Sequence, residues 1–194
     1  GSSFDVVSGG ELYRVKAAGG DTTKVVFAGV GKTDEEIRFA LENDILMFDV
    51  ESEQELDAIA AVAGSMNVVG RVALRLNPDI DAKSHPNIST GLKSNKFGVP
   101  IEAAPALFRE IARRPCLVPI GVHVHIGSQI TEMSPFLAAF DKVLGFVDSL
   151  EATGIPLHHI RTLLNYDMVE INPGTIILKE GEVPAAIQIG RAHV

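Results

Sequence analysis

A single cysteine, Cys116, stands in a chain of 194 residues. That excludes an internal disulfide framework and a cysteine-rich zinc site, and it fits a reducing cytoplasm. Positive charge is also scarce, with 17 Lys and Arg against 25 Asp and Glu, a formal net charge of −8. Without a basic block the chain is a poor match to nucleic acid or to an anionic membrane surface. No apolar run approaches the ~20 residues of a transmembrane helix. The opening Gly1-Ser-Ser-Phe-Asp-Val-Val7 has neither the basic nor the apolar region of a signal peptide. It also lacks an initiator methionine and enters a strand almost at once, so the expectation is a fragment cut inside a domain.

What is present is a regular alternation of short β-branched runs with helix-length amphipathic segments. Strands are expected at 4–7, 24–28, 45–50, 68–76, 118–126 and 158–164. Helices are expected at 8–18, 33–42, 52–63, 103–113 and 134–153. Thr33 with Glu36, and Ser52 with Glu55, have the spacing of helix N-terminal capping boxes. Near-continuous apolar strands are those of a parallel sheet buried on both faces. Repeated βα units leave an open doubly wound sheet or a (β/α)8 barrel, and about six units fall short of the barrel's eight. The rhythm breaks at 77–98, a polar loop following the carboxyl end of a strand, where α/β folds place their sites.

Several residues invite chemistry. Gly29-Val-Gly-Lys-Thr33 resembles a phosphate loop but has Val26 where the first glycine is required, so it reads as a tight strand-to-helix turn capped by Thr33. His123 and His125 lie two apart and share one strand face. They suit metal ligation with His85 or the His158-His159 pair, stacking on a flat ring, or burial with satisfied hydrogen bonds. Gly127 permits close backbone approach, and Ser128 is a donor for a phosphate or carboxylate. Asp5 and Arg75 each interrupt an apolar strand, so they are expected either to pair near the site end of the sheet or to face water at strand edges. Lys93 and Lys96 are candidates for anionic groups.

Five stretches then resemble one family: Phe4-Asp-Val-Val-Ser-Gly-Gly-Glu-Leu12, Val26-Phe-Ala-Gly-Val-Gly-Lys-Thr33, Arg75-Leu-Asn-Pro-Asp79, His85-Pro-Asn-Ile-Ser-Thr-Gly-Leu-Lys-Ser-Asn-Lys-Phe-Gly98 and Gly121-Val-His-Val-His-Ile-Gly-Ser-Gln-Ile130. In this order they resemble the diaminopimelate decarboxylases from residue 1 to about 160. The resemblance implies an alanine-racemase-type, TIM-type (β/α)8 barrel that binds pyridoxal 5′-phosphate, here incomplete with about six βα units. It implies release of CO2 from meso-diaminopimelate to give L-lysine, a small amino-acid substrate, a homodimer and a cytoplasmic enzyme of lysine biosynthesis. By the same resemblance His125 stacks on the pyridine ring and Ser128 lies near the phosphate. Asp5 and Arg75 line the mouth beneath the cofactor, Ser8, Glu11 and Gly127 fall in matched motifs, and no metal is needed.

The resemblance also marks what this stretch does not contain. The Schiff-base lysine of a Tyr-Ala-x-Lys-Ala-Asn segment is absent, as are the Leu-Asp-Leu-Gly-Gly-Gly strand, the Glu-Pro-Gly-Arg segment and the C-terminal β domain. The expectation is therefore an inactive fragment with open sheet edges and poor solubility. Residues 1–161 are expected to be partial barrel. Residues 162–194 are expected to be a tail foreign to the family, because Ile189-Gly-Arg-Ala-His-Val194 is what a common sequencing-adapter oligonucleotide encodes in one frame. Two alternatives stand beside this: a sister decarboxylase acting on ornithine, arginine or carboxynorspermidine, and a non-catalytic barrel relic that binds a partner subunit.

Overall fold

In a computed structural model of the chain, the structure describes residues 3–78, 97–127 and 133–151. Six strands are present: β1 (Phe4–Val6), β2 (Val25–Phe27), β3 (Met47–Val50), β4 (Gly70–Asn77), β5 (Val99–Pro100) and β6 (Leu117–Val124). Among the described residues five α-helices accompany them: α1 (Gly9–Ala17), α2 (Asp34–Glu42), α3 (Glu53–Met66), α4 (Ala104–Arg113) and α5 (Ser134–Glu151). Every strand pairing is parallel, in the order β1-β2-β3-β4, with β5 and β6 both on β4. This is the expected incomplete (β/α)8 arrangement, and among the described residues the sheet does not close. The short β5 is not expected from the sequence, since it directly follows the long loop. The strand expected at 158–164 and most of the loop at 77–98 lie outside the described residues. Among the described residues no helix is long and apolar enough to cross a membrane.

The helices start where their caps require. Ser8, Thr33 and Ser52 each accept a hydrogen bond from the backbone N–H three residues on. The three partners are Glu11, Glu36 and Glu55, so one capping pattern recurs in three successive βα turns. The two later glutamates also reach across to the preceding unit. Glu36 accepts from Gly9 N–H at 2.8 Å, and Glu55 pairs with Lys32. A Cβ on Gly9 would sit 2.9 Å from Glu36 Cγ, which is why a glycine stands there. The Gly9 and Thr33 N–H groups hold the Glu36 carboxyl below its usual range.

The two sheet faces differ sharply. One buries Val25, Phe27, Phe48, Val72, Leu74 and Val122 against the helices, joined by Ile37, Leu56, Ile59, Phe108 and Ile111 at helical spacing. The rings of Phe27 and Phe48 lie stacked at 6.0 Å. The other face carries a small floor of Val26, Met47 and Ala73, with Leu46 and Ile120 against it. Register and the two-residue side-chain period place Asp49, Arg75 and His123 on this same face, one step nearer the strands' carboxyl ends.

One irregularity sets that placement. Val72 pairs with Pro119 but Ala73 pairs with Gly121, so Ile120 is an extra residue in β6. A bulge of this kind reverses which residues face which side. Before it, Leu117 lies against the helices; after it, Val122 does. His123 and His125 face the inner side only because the bulge shifts the alternation by one.

Candidate functional site

The polar cluster lies above the floor, at the carboxyl end of the strands. Arg75 on β4 donates from Nη1 to Glu51 Oε1 at 2.7 Å, and both side chains are largely buried. The sequence offers Asp5 as the partner of Arg75. The structure gives Arg75 to Glu51 instead, because Glu51 leaves β3, the strand adjacent to β4, whereas Asp5 sits three strands along the sheet on an exposed position of β1. The Arg75 guanidinium also lies 5.9 Å from the centre of the Phe97 ring, where the long loop returns.

Gly98 makes that return possible. Its φ is +94°, and a Cβ there would stand 2.8 Å from the Arg75 carbonyl oxygen. Gly98→Ala is expected to cost about 1–3 kcal/mol through backbone strain and displacement of Arg75. A urea unfolding midpoint equal to wild type would remove this account of the loop's anchor.

Lys32 is more than part of a tight turn. Its side chain is buried, pairs with Glu55, and donates to the carbonyl oxygens of Gly29 at 2.7 Å and Asp49 at 3.0 Å. Its ammonium lies 5.4 Å from the centre of the Phe27 ring. A lysine so engaged ties the β2–α2 turn to β3 and α3 and is not a phosphate ligand.

His123 is buried beside Asp49, with Nδ1 3.5 Å from Asp49 Oδ2. Both Asp49 oxygens, Glu51 Oε2 and His123 Nδ1 are buried without a hydrogen-bond partner among the described residues. Burial, then the charges of Arg75, His125 and Lys32, lower the His123 pKa to about 3. His125 is half-buried just past the strand, and burial followed by Arg75 lowers its pKa against a smaller opposing effect of Glu51. At neutral pH both imidazoles are uncharged.

Ser8 is committed to capping α1, where it accepts from Glu11 N–H at 3.2 Å. Gly127 has φ +135°, a backbone conformation open to glycine. Ser128, His85, Lys93, Lys96, His158 and His159 lie outside the described residues. The structure brings Arg75, His123 and His125 near one another. It adds Lys32, Asp49 and Glu51. Asp49 carried a sequence signal, an acid inside the apolar run 45–50, of the same kind that singled out Asp5. Glu51 carried none, standing just outside the strand in a helix-capping segment.

The chemistry of this cluster suits a flat, polar ligand. The register partners Ala73 and Gly121 leave the inner face thinly covered, a neutral imidazole offers a stacking surface, and Glu51 keeps a buried oxygen without a partner.

Comparisons with known proteins point to one family. The family described as pyridoxal-dependent decarboxylase, pyridoxal binding domain, matches residues 1–162. The diaminopimelate decarboxylase of Neisseria meningitidis serogroup A is 51% identical over 160 residues, covering 82% of this chain and 39% of that protein. That of Pseudomonas aeruginosa is 52% identical with the same coverage. Among solved structures, diaminopimelate decarboxylase from Helicobacter pylori complexed with L-lysine superposes with a TM-score of 0.75 at 45% identity, over 79% of this chain and 39% of that one. Lysine decarboxylase from Selenomonas ruminantium, at 24% identity and TM-score 0.68 over 80% of this chain and 38% of that one, shares the fold. The chain spans about 39% of the length of the curated relatives it matches.

Proposed function

We propose, for a chain that belongs to the pyridoxal-dependent decarboxylase family, that it forms the cofactor-binding part of a diaminopimelate decarboxylase, converting meso-diaminopimelate to L-lysine and CO2. The observation that carries this reading is the contrast in identity. The chain is about 50% identical to diaminopimelate decarboxylases but 23–24% identical to the lysine and lysine/ornithine decarboxylases. Residues 1–161 are the family part in this reading, residues 162–194 lie beyond it, and the whole enzyme is a cytoplasmic homodimer.

Pyridoxal 5′-phosphate, when bound, supplies an electron sink for the pair of electrons released as CO2 leaves. The chain's own residues bind and orient. His125 offers the neutral face on which the pyridine ring stacks. Gly127 and Ser128, in the matched motif, would serve the cofactor's phosphate. Arg75, held by Glu51, is a fixed positive charge at the mouth that orients anionic groups, and Asp5 lines the same rim. Ser8 acts through the start of α1, which it caps. The apolar floor beneath excludes water from the inner face.

The test is an assay of the full-length protein carrying this chain, supplied with pyridoxal phosphate. CO2 release from meso-diaminopimelate, and not from L-ornithine or L-arginine, is expected. His125→Ala is expected to weaken cofactor retention by about tenfold or more, equivalent to ~1.4 kcal/mol. Preference for ornithine or arginine would favour a sister enzyme, and cofactor binding without turnover of any of the three would favour a non-catalytic relic.

A further inference from the structure

Asp49 is 1% exposed, yet neither of its carboxyl oxygens has a hydrogen-bond partner among the described residues. An ionised carboxylate left so is among the most costly groups a protein can bury. The nearest complementary atom is Nδ1 of His123, 3.5 Å from Oδ2 and itself without a partner. Two neighbouring orphans satisfy one another if a single proton lies between them.

We propose that Asp49 is a carboxylic acid in the folded protein and donates its proton to Nδ1 of His123, fixing that imidazole with its own proton on Nε2 and making Asp49 a positioning residue at the base of the site. In an unfolded chain at mildly acidic pH the pair also holds one proton, but on the histidine. Folding transfers it from the imidazole to the carboxylate, with no net uptake, so two formal charges disappear as they enter the interior.

The surroundings favour the neutral pair. Asp49 is raised well above its ordinary value, by burial first and then by Asp5 on β1, with Glu51 adding to the rise and Lys32 and Arg75 opposing it. His123 is pushed down to about 3 by burial, Arg75, His125 and Lys32. Among the described residues these five groups, from β1, the β2–α2 turn, the end of β3, β4 and the end of β6, are the charged and titratable neighbours of the pair. The inference rests on the β3–β6 geometry and is independent of what the mouth binds.

The substitution Asp49→Asn separates this from an ion pair. The asparagine amide would still donate an N–H to Nδ1 and would be nearly interchangeable with a protonated Asp49, whereas it could not replace a carboxylate facing an imidazolium. Because the Asp49 pKa is raised on folding, its contribution is present below about pH 4 and is lost as pH rises toward the folded value. The folding constant of Asp49→Asn relative to wild type is therefore expected to grow with pH, by up to about tenfold per unit above pH ~4, in urea titrations of the full-length protein that carries this chain.

In 15N-histidine spectra, the resonance lost in His123→Gln should report the Nε2–H form in wild type and Asp49→Asn alike, unchanged from about pH 5 to 8. Asp49→Val, which cannot donate, should give mixed tautomers and a lower urea midpoint. A pH-independent or declining ratio for Asp49→Asn would overturn the proposal. So would an imidazolium at His123 in the wild type, or an Asp49→Asn protein as unstable as Asp49→Val.

Discussion

Replacing Lys32 by methionine is expected to cost the fold about 3–5 kcal/mol, the range for leaving one member of a buried ion pair behind. Methionine preserves most of the stem volume, so the loss is electrostatic. Glu55, whose side chain is only 9% exposed, is left without its cation, and the carbonyl oxygens of Gly29 and Asp49 each lose a donor. Glu55 also accepts the Glu51 N–H at 2.8 Å, so the carboxylate cannot swing away without leaving that donor unpaired. The double variant Lys32→Met/Glu55→Gln removes both charges and should recover a large part of the loss in urea unfolding. A double variant as unstable as the single one would show that the two carbonyl oxygens, and not the stranded carboxylate, carry the cost.

Inserting one alanine after Ile120 is expected to be worse than any substitution in β6. A second extra residue shifts the alternation once more beyond the bulge. His123 and His125 then turn toward the helix-facing side, and Val122 and Val124 turn inward. Val122, withdrawn from the outer core, forfeits ~1.5–3 kcal/mol, the partly buried Val124 forfeits less, and each imidazole forced into that core costs about 1–3 kcal/mol more. Together these rival the ~5–15 kcal/mol by which an ordinary domain is stable. Deleting Ile120 does the opposite: Pro119 and Gly121 already stand opposite Val72 and Ala73, so the ladder becomes one-to-one and His123 keeps its side. Loss of a cooperative thermal transition in the insertion, with the transition kept in the deletion, is the expected pair of results. Equal stability of the two proteins would refute the parity argument.

The βα rhythm, the parallel sheet and the helix caps were all legible in the residues, because periodicity and capping chemistry are local. Thr33 with Glu36 announced α2 within a residue of its observed start at Asp34. The bulge was not legible. From Leu117 to Val122 the run is apolar on both sides of the extra residue, so no polar contrast marks which one it is. The partner of Arg75 was missed for a related reason. Asp5 drew attention as an acid within an apolar strand, while Glu51 stands one residue beyond Val50 among helix-opening residues, where an acid is ordinary. Which acid meets which base depends on strand order, and strand order is not written in any single segment.

The recurring glutamate caps have a consequence for how the chain is made. Glu36 reaches back 27 residues to Gly9, Lys32 and Glu55 lie 23 apart, Arg71 finds Asp44 at 27 and Arg75 finds Glu51 at 24. Each tie spans about one βα unit. A polypeptide leaving the ribosome amino end first therefore meets, at every step, a partner that has already been synthesised. Contacts this short in sequence favour rapid assembly, so the mouth of the site can be fastened link by link while translation is still under way.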